Sequence, residues 1–255
     1  MRFVYLGGAL LAAVIVVWWW VAVRPHTQPI ATAPSSTSMA FYEAKSRAEL
    51  LRFQARHTRN FDAAIAAYQS ALQVRPDNAE IHNDLGATYY EKGRALMGEP
   101  VAEDLRFYSS SPDLEVRVRE TLEYMESWFD QVPADPNTIT PKKFVWDIPA
   151  YLLKPFEEYA KTRNDLIYSS RRVGDHYELV VYAGETARAF KQAEIHFWRA
   201  IDLRPEYAPA YRNLGALYVE IGRREDAIKI LRQALRLEPQ DRELDLYLQQ
   251  LVGIQ

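Results

Sequence analysis

The sequence predicts an all-α fold: a stack of helical hairpins, interrupted by a mostly helical insertion and preceded by one membrane-spanning helix. Three observations carry this reading. Residues 61 to 94 align without a gap on residues 190 to 223. Residues 3 to 23 hold neither a charge nor a proline. Between the two aligned stretches the repeat pattern is lost over roughly 75 residues while apolar residues keep recurring at helical spacing.

The first element, "FVYLGGALLAAVIVVWWWVAV", matches the roughly 20 apolar residues a helix needs to cross the hydrocarbon core. Trp18, Trp19 and Trp20 stand near its far end, at the headgroup depth that amphipathic rings prefer. A cleaved signal peptide is the alternative, but the apolar run exceeds its usual length of about 7 to 15 residues, and the "ATA" that would precede a cleavage site is followed by Pro34. The expectation is a transmembrane signal anchor over 1 to 24. Residues 25 to 40, "PHTQPIATAPSSTSMA", form an uncharged Pro/Ser/Thr-rich linker. A segment without basic residues is easily translocated, which favours a bacterial inner-membrane protein with an extracytoplasmic body over one facing the cytoplasm.

The alignment pairs Ala64 with Ala193, Ala71 with Ala200, Arg75-Pro76 with Arg204-Pro205, and Leu85-Gly86-Ala87 with Leu214-Gly215-Ala216. It goes on to pair Tyr89 with Tyr218 and Gly93-Arg94 with Gly222-Arg223. A large residue, then Leu-Gly, then an aromatic places a large-small-large stripe on one helix face, and Gly93 and Gly222 are expected to end their helices. These residues resemble the tetratricopeptide repeat (TPR), with its aromatic-x2-Leu-Gly-x2-Tyr and Ala-x3-Phe pattern and closing Pro. The match is best at 208 to 241, through Tyr211, Leu214, Gly215, Tyr218, Gly222, Ala227, Leu231, Ala234 and Pro239. It implies an N-terminal TPR block over 41 to 99 and a C-terminal block over 174 to 241. Within these, 45 to 78 and 174 to 207 have good second helices and poor first ones. Leu244, Leu248 and Leu251 then predict a capping helix over 242 to 255.

The repeat that begins at Ala79 has a good first helix and no second one beside it. Residues 100 to 173 read as a divergent helical insertion, either a recognition module or repeats whose pattern has faded. "PVAEDLRFYSS" is expected as a short helix, Ser111-Pro112-Asp113 as a helix start, 132 to 149 as a long Pro-rich loop, and Pro155 to about Arg172 as a further helix. Phe144 and Trp146 in that loop are candidate partner contacts.

Nothing in the chain has the pattern of a catalytic centre. It contains no cysteine, which removes disulfides, thiolate ligands and cysteine nucleophiles. No GxGxxG, P-loop or GxSxG motif occurs, and no two of the five histidines stand at ligand spacing. The expectation is a non-enzyme with no cofactor and no metal. A net charge of −3 gives no basic excess for nucleic acid.

What remains is protein binding, which the TPR resemblance implies through the groove of the stack. The stripe beside the packing positions is Glu80, Asn83, Ala87 and Tyr90 in one block, and Arg212, Ala216 and Val219 with the adjoining Asn213 in the other. These are the candidate partner-binding residues. Grip on a partner's C-terminal carboxylate, known in some TPR adaptors, is not expected, because Glu80, Asp84 and Glu91 oppose an acidic tail. The functional expectation is a membrane-tethered scaffold or assembly factor for envelope proteins. The alternative is a permanent accessory subunit of a membrane complex, its span packed through Gly7, Gly8, Ala9, Ala12 and Ala13. Stacks with uncovered edges also admit self-association.

Overall fold

The structure is a computed structural model that describes residues 36–130 and 143–253. The apolar segment 3–23, its three tryptophans and most of the linker lie outside the described residues. Among the described residues no helix is long and apolar enough to cross a membrane. The chain divides into two units, Met1–Ser38 and Met39–Gln255. Of the first, only Ser36, Thr37 and Ser38 are described, as the opening of α1.

The described helices are α1 (Ser36–Thr58), α2 (Asp62–Val74), α3 (Ala79–Leu96), α4 (Leu114–Phe129), α5 (Ala150–Lys161), α6 (Gly184–Leu203), α7 (Ala208–Glu220), α8 (Arg224–Leu237) and α9 (Arg242–Gly253). Four strands accompany them: β1 (Val101–Asp104), β2 (Lys143–Pro149), β3 (Leu166–Val173) and β4 (His176–Ala183).

Three helical hairpins make the solenoid. α1 pairs with α2 through Phe41, Ala48 and Ala55 packed on Phe61, Ile65 and Tyr68. α7 pairs with α8, where Gly215 admits Leu231: a Cβ on that glycine would lie 2.3 Å from the leucine Cδ2. The middle hairpin is assembled from distant parts of the chain. α3 pairs with α6, and Gly86 and Gly93 receive the rings of Phe197 and Phe190. Gly222 and Ala227 stand five positions apart in the last repeat, whereas the equivalent Gly93 and Ala193 stand a hundred apart. The helix missing after Arg94 is therefore present, delivered by residues 184 to 203, and everything between is inserted into one hairpin turn. Leu244 and Leu248 of α9 are buried against the last hairpin.

Gly222 closes α7 as a C-terminal cap at φ 78°, with Arg223 N–H donating to the Tyr218 carbonyl at 2.8 Å. Gly93 does not end its helix. α3 runs on to Leu96, and the glycine serves instead as the flat bed for the Phe190 ring.

The inserted module corrects the all-α expectation. Its sheet has the order β1-β2-β4-β3, with β1 parallel to β2 and β4 antiparallel to both β2 and β3. "PVAEDLRFYSS" supplies β1 rather than a helix, and 143–149 is a central strand rather than loop. Residues 131–142, the rest of the expected loop, lie outside the described residues. The helix expected from Pro155 to Arg172 ends at Lys161 and gives way to β3. The stretch "DHYELVVYAGE", expected as a first TPR helix, is largely β4. Phe144, Trp146 and Ile148 alternate inward along β2, the period-2 pattern of a half-buried strand, and meet Leu179 and Val181 of β4 on one face. α4, capped by Asp113 on the Glu115 N–H at 2.8 Å, and α5 cover that face with Met125, Phe129, Leu152 and Phe156. β3 and β4 turn back on each other at Gly174, whose φ of 61° suits the first position of a two-residue hairpin.

Part of the opposite sheet face rests on the solenoid. Tyr182 is buried in the solenoid core and donates its hydroxyl to the Glu220 carbonyl at 2.5 Å, and Lys143 pairs with the Glu220 carboxylate at 3.8 Å. Ser169 of β3 lies against Gly222.

Candidate protein-binding surface

The first helices of successive hairpins, α1, α3 and α7, are joined side by side by polar contacts, and α9 continues the row. Between α1 and α3 the contacts are ionic. Arg52 and Arg56 both reach Glu91, at 2.7 and 2.8 Å, and Lys45 reaches Glu80 at 3.5 Å. Burial works to raise the Glu91 carboxyl, but hydrogen bonds from Arg56 and Arg52 outweigh it and hold its pKa below the ordinary value. Glu80 is further clasped by Arg204 at 3.4 Å. Between α3 and α7 an amide pair, Asn213 Nδ2 donating to Asn83 Oδ1 at 2.8 Å, is joined by an ion pair of Arg94 with Glu220 at 3.6 Å.

The candidate residues therefore divide. Asn83 is only 5% exposed and Ala87 is buried, so these two tie helices together and do not line an open surface. Glu80 is half-buried within its ionic contacts, and Val219 is half-buried against the core. Tyr90 is half-buried beside the Phe190 ring, its centroid 5.9 Å away; burial, with Glu220 nearby, pushes its pKa up to about 12. Phe144 and Trp146 are both 0% exposed, so they form the core of the inserted module and offer nothing to a partner. Their partner-contact reading is corrected: aromatic residues in a Pro-rich stretch were pinned there by a strand.

Arg212 and Ala216 do face open space. With α9 they border a groove of about 410 Å³ floored by Leu231 and Leu244 and walled on its far side by Leu246 and Tyr247. Leu246 is 59% exposed and Tyr247 39%. Sequence reasoning missed the α9 wall. The signal was that "LDLYLQQL" places apolar residues at 246 and 247, off the Leu244-Leu248-Leu251 stripe that packs inward. Arg212 is engaged by Glu238 at 3.0 Å and by Asp241. Among the described residues of this row, Lys45, Arg52, Arg56, Arg204 and Arg212 each have an acidic partner. Gripping a free carboxylate with any of these five would require breaking its pair.

Behind the row, His82 of α3 and His196 of α6 lie Nδ1 to Nδ1 at 3.0 Å, and His82 Nε2 stands 2.9 Å from the Pro76 carbonyl. A carbonyl only accepts, so His82 carries its proton on Nε2 and takes the proton of His196 on Nδ1. Burial, then the neighbouring His82, lowers His196 to about 4; burial likewise lowers His82. Two neutral rings bridge the split hairpin. Among the described residues no group of His, Asp and Glu could hold a metal ion.

Family models match the chain in two places, a TPR repeat at residues 60–93 and a tetratricopeptide repeat at 186–251. The gap between them coincides with the inserted module. No curated protein matches the sequence. Among solved structures, the OM64 TPR domain of Arabidopsis is 13% identical, with 85% of this chain and 98% of that one covered and a TM-score of 0.39. The first TPR of Spaghetti (RPAP3), bound to an HSP90 peptide, is 14% identical over 82% of this chain and 92% of that one, TM-score 0.36. PilF of Pseudomonas aeruginosa is 14% identical over 84% and 69%, TM-score 0.27. The chain carries TPR repeats, modules of protein–protein interaction, on both sides of a segment that no TPR model matches.

Proposed function

We propose that this protein is a membrane-tethered, non-catalytic scaffold that helps assemble envelope proteins by holding an extended segment of a partner in the groove between α7 and α9. One observation carries the reading: Leu246 and Tyr247 stand exposed opposite Ala216, with apolar side chains at the floor between them. Burying such a surface stabilises a complex by roughly 25 cal/mol per Å² of apolar area, while the paired charges around it supply orientation rather than affinity. The tether rests on the uncharged run from 3 to 23, and the extracytoplasmic body on the uncharged linker behind it.

Two experiments test this. Partners recovered with the full chain in mild detergent should be lost from Tyr247→Ala and from Ala216→Arg variants whose circular dichroism is unchanged; retention of the same partners by both variants refutes the groove. Because the chain has no cysteine, a single Ser127→Cys reports topology. Labelling by a membrane-impermeant maleimide in intact spheroplasts supports the extracytoplasmic body, and labelling only after lysis refutes it.

A further inference from the structure

Every described first helix after α1 has the second helix of the preceding hairpin at its side: α2 lies against α3, α6 against α7, and α8 against α9. Among the described residues α1 has no such neighbour. In that place α1 and α2 leave a groove of about 490 Å³, walled by Ala40, Ala44 and Leu51 on one side and Ala63 and Ala66 on the other. Glu43 and Arg47 also border it. Both are exposed, and neither has an ion-pair partner among the described residues, unlike the cations of the binding row.

We propose that a second copy of this chain fills the groove, α1 lying antiparallel on α1 about a two-fold axis. A two-fold contact is self-complementary: if one residue meets another, the reverse contact follows. An axis through the middle of the stripe, near position 45, sets Glu43 against Arg47 of the second copy and Arg47 against its Glu43. The same axis brings Met39, 59% exposed, to Leu50 of the second copy, 57% exposed, and Ala40 to its Leu51. Small side chains along both walls allow the close helix approach that such packing needs. The unpaired charges and the exposed apolar residues thus find partners under one symmetry operation. This pairing is independent of the α7–α9 groove and leaves it open.

The test is sedimentation velocity on the full chain in mild detergent, with circular dichroism as the control for folding. The wild type should sediment as a dimer at micromolar concentration. Glu43→Arg and Arg47→Glu should each weaken it about tenfold, since each replaces two attractive pairs by two repulsive ones. An equimolar mixture of the two variants should recover dimer, because every facing pair is then opposite in sign. Three results overturn the proposal: a monomeric wild type, as expected if another part of the chain fills the groove; a dimer indifferent to both single variants, which places the contact elsewhere; or a mixture that stays monomeric.

Discussion

Gly86 and Phe197 touch across 111 positions of sequence: a Cβ on the glycine would lie 2.8 Å from both Cδ1 and Cε1 of the ring and 3.2 Å from the Ala193 carbonyl oxygen. Gly93 and Phe190 repeat the relationship about two turns further along α3, at 2.5 Å. These two contacts hold together a hairpin whose halves the chain supplies far apart. Phe197 is fully buried, so Phe197→Ala should cost about 3–5 kcal/mol of unfolding free energy in urea titrations. Gly86→Ala should cost about 1–3 kcal/mol, because the ring or the backbone must retreat. An equal and negligible cost for both would mean that α3 and α6 do not pack as a hairpin.

Residues 95 to 189 should be removable. Joining Arg94 directly to Phe190 places Gly93 and Ala193 five positions apart, the spacing of Gly222 and Ala227, where a turn at Ile221–Arg223 already links α7 to α8. The shortened protein should unfold cooperatively with a helical spectrum, at a lower midpoint than the intact chain, because Tyr182 and Ala187 no longer cover the core and Phe190, now two positions after Gly93, no longer packs on it. A molten or aggregated product would show that the inserted module is needed to bring the two helices together.

How much of this was legible beforehand depends on the range of the interaction that decides it. Leu-Gly-x2-Tyr and Ala-x3-Phe are local spacings, and both halves of the split hairpin were visible as good single helices without good partners. That α3 and α6 complete each other was not visible, since the pairing is set by packing between residues a hundred positions apart. In the module, β2 and β4 read poorly because "FVWDI" and "ELVVYA" are too short for period alone to separate strand from helix. The prolines around 132 to 149 then tipped the reading towards loop. Of the binding row, Arg212 and Ala216 were placed on an open face by helical periodicity, but the same periodicity put Asn83 outward. Only the neighbouring helix, bringing Asn213 to it, turns that position into a buried bridge.

Trp146 distinguishes core from contact. It is fully buried, and its Nε1 has no hydrogen-bond partner among the described residues. Trp146→Ala should cost about 3–5 kcal/mol, whereas Trp146→Phe, which keeps an aromatic ring and removes the orphaned N–H, should cost less than about 1.5 kcal/mol. Both should leave partner capture through the α7–α9 groove unchanged under conditions where the protein is folded. Loss of capture in the folded Phe variant would return Trp146 to the binding surface.

The histidine pair makes the split hairpin sensitive to acid. His82 and His196 are neutral in the fold, with pKa values below the ordinary 6.5, His196 at about 4. In the unfolded chain both titrate near 6.5, so between pH 6.5 and 4 the unfolded state binds more protons and stability falls as pH falls. The contribution is intact above about pH 6.5 and lost by about pH 4; charging His82 sets N–H against N–H at the 3.0 Å contact, while charging His196 places a cation in a buried site. Glu91, whose folded pKa is lowered, loses stability in the same direction, but only below the usual carboxylate range. Burial raises Asp84, which acts in the opposite direction, so the imidazole contribution is read as the difference between wild type and histidine variants in urea midpoints between pH 7.5 and 5. His196→Gln, which cannot ionise, should flatten the profile over that interval, and the double variant with His82→Gln should flatten it further. A difference between wild type and the double variant that stays level from pH 7.5 to 5 would show that the two rings accept protons in the fold as readily as in water.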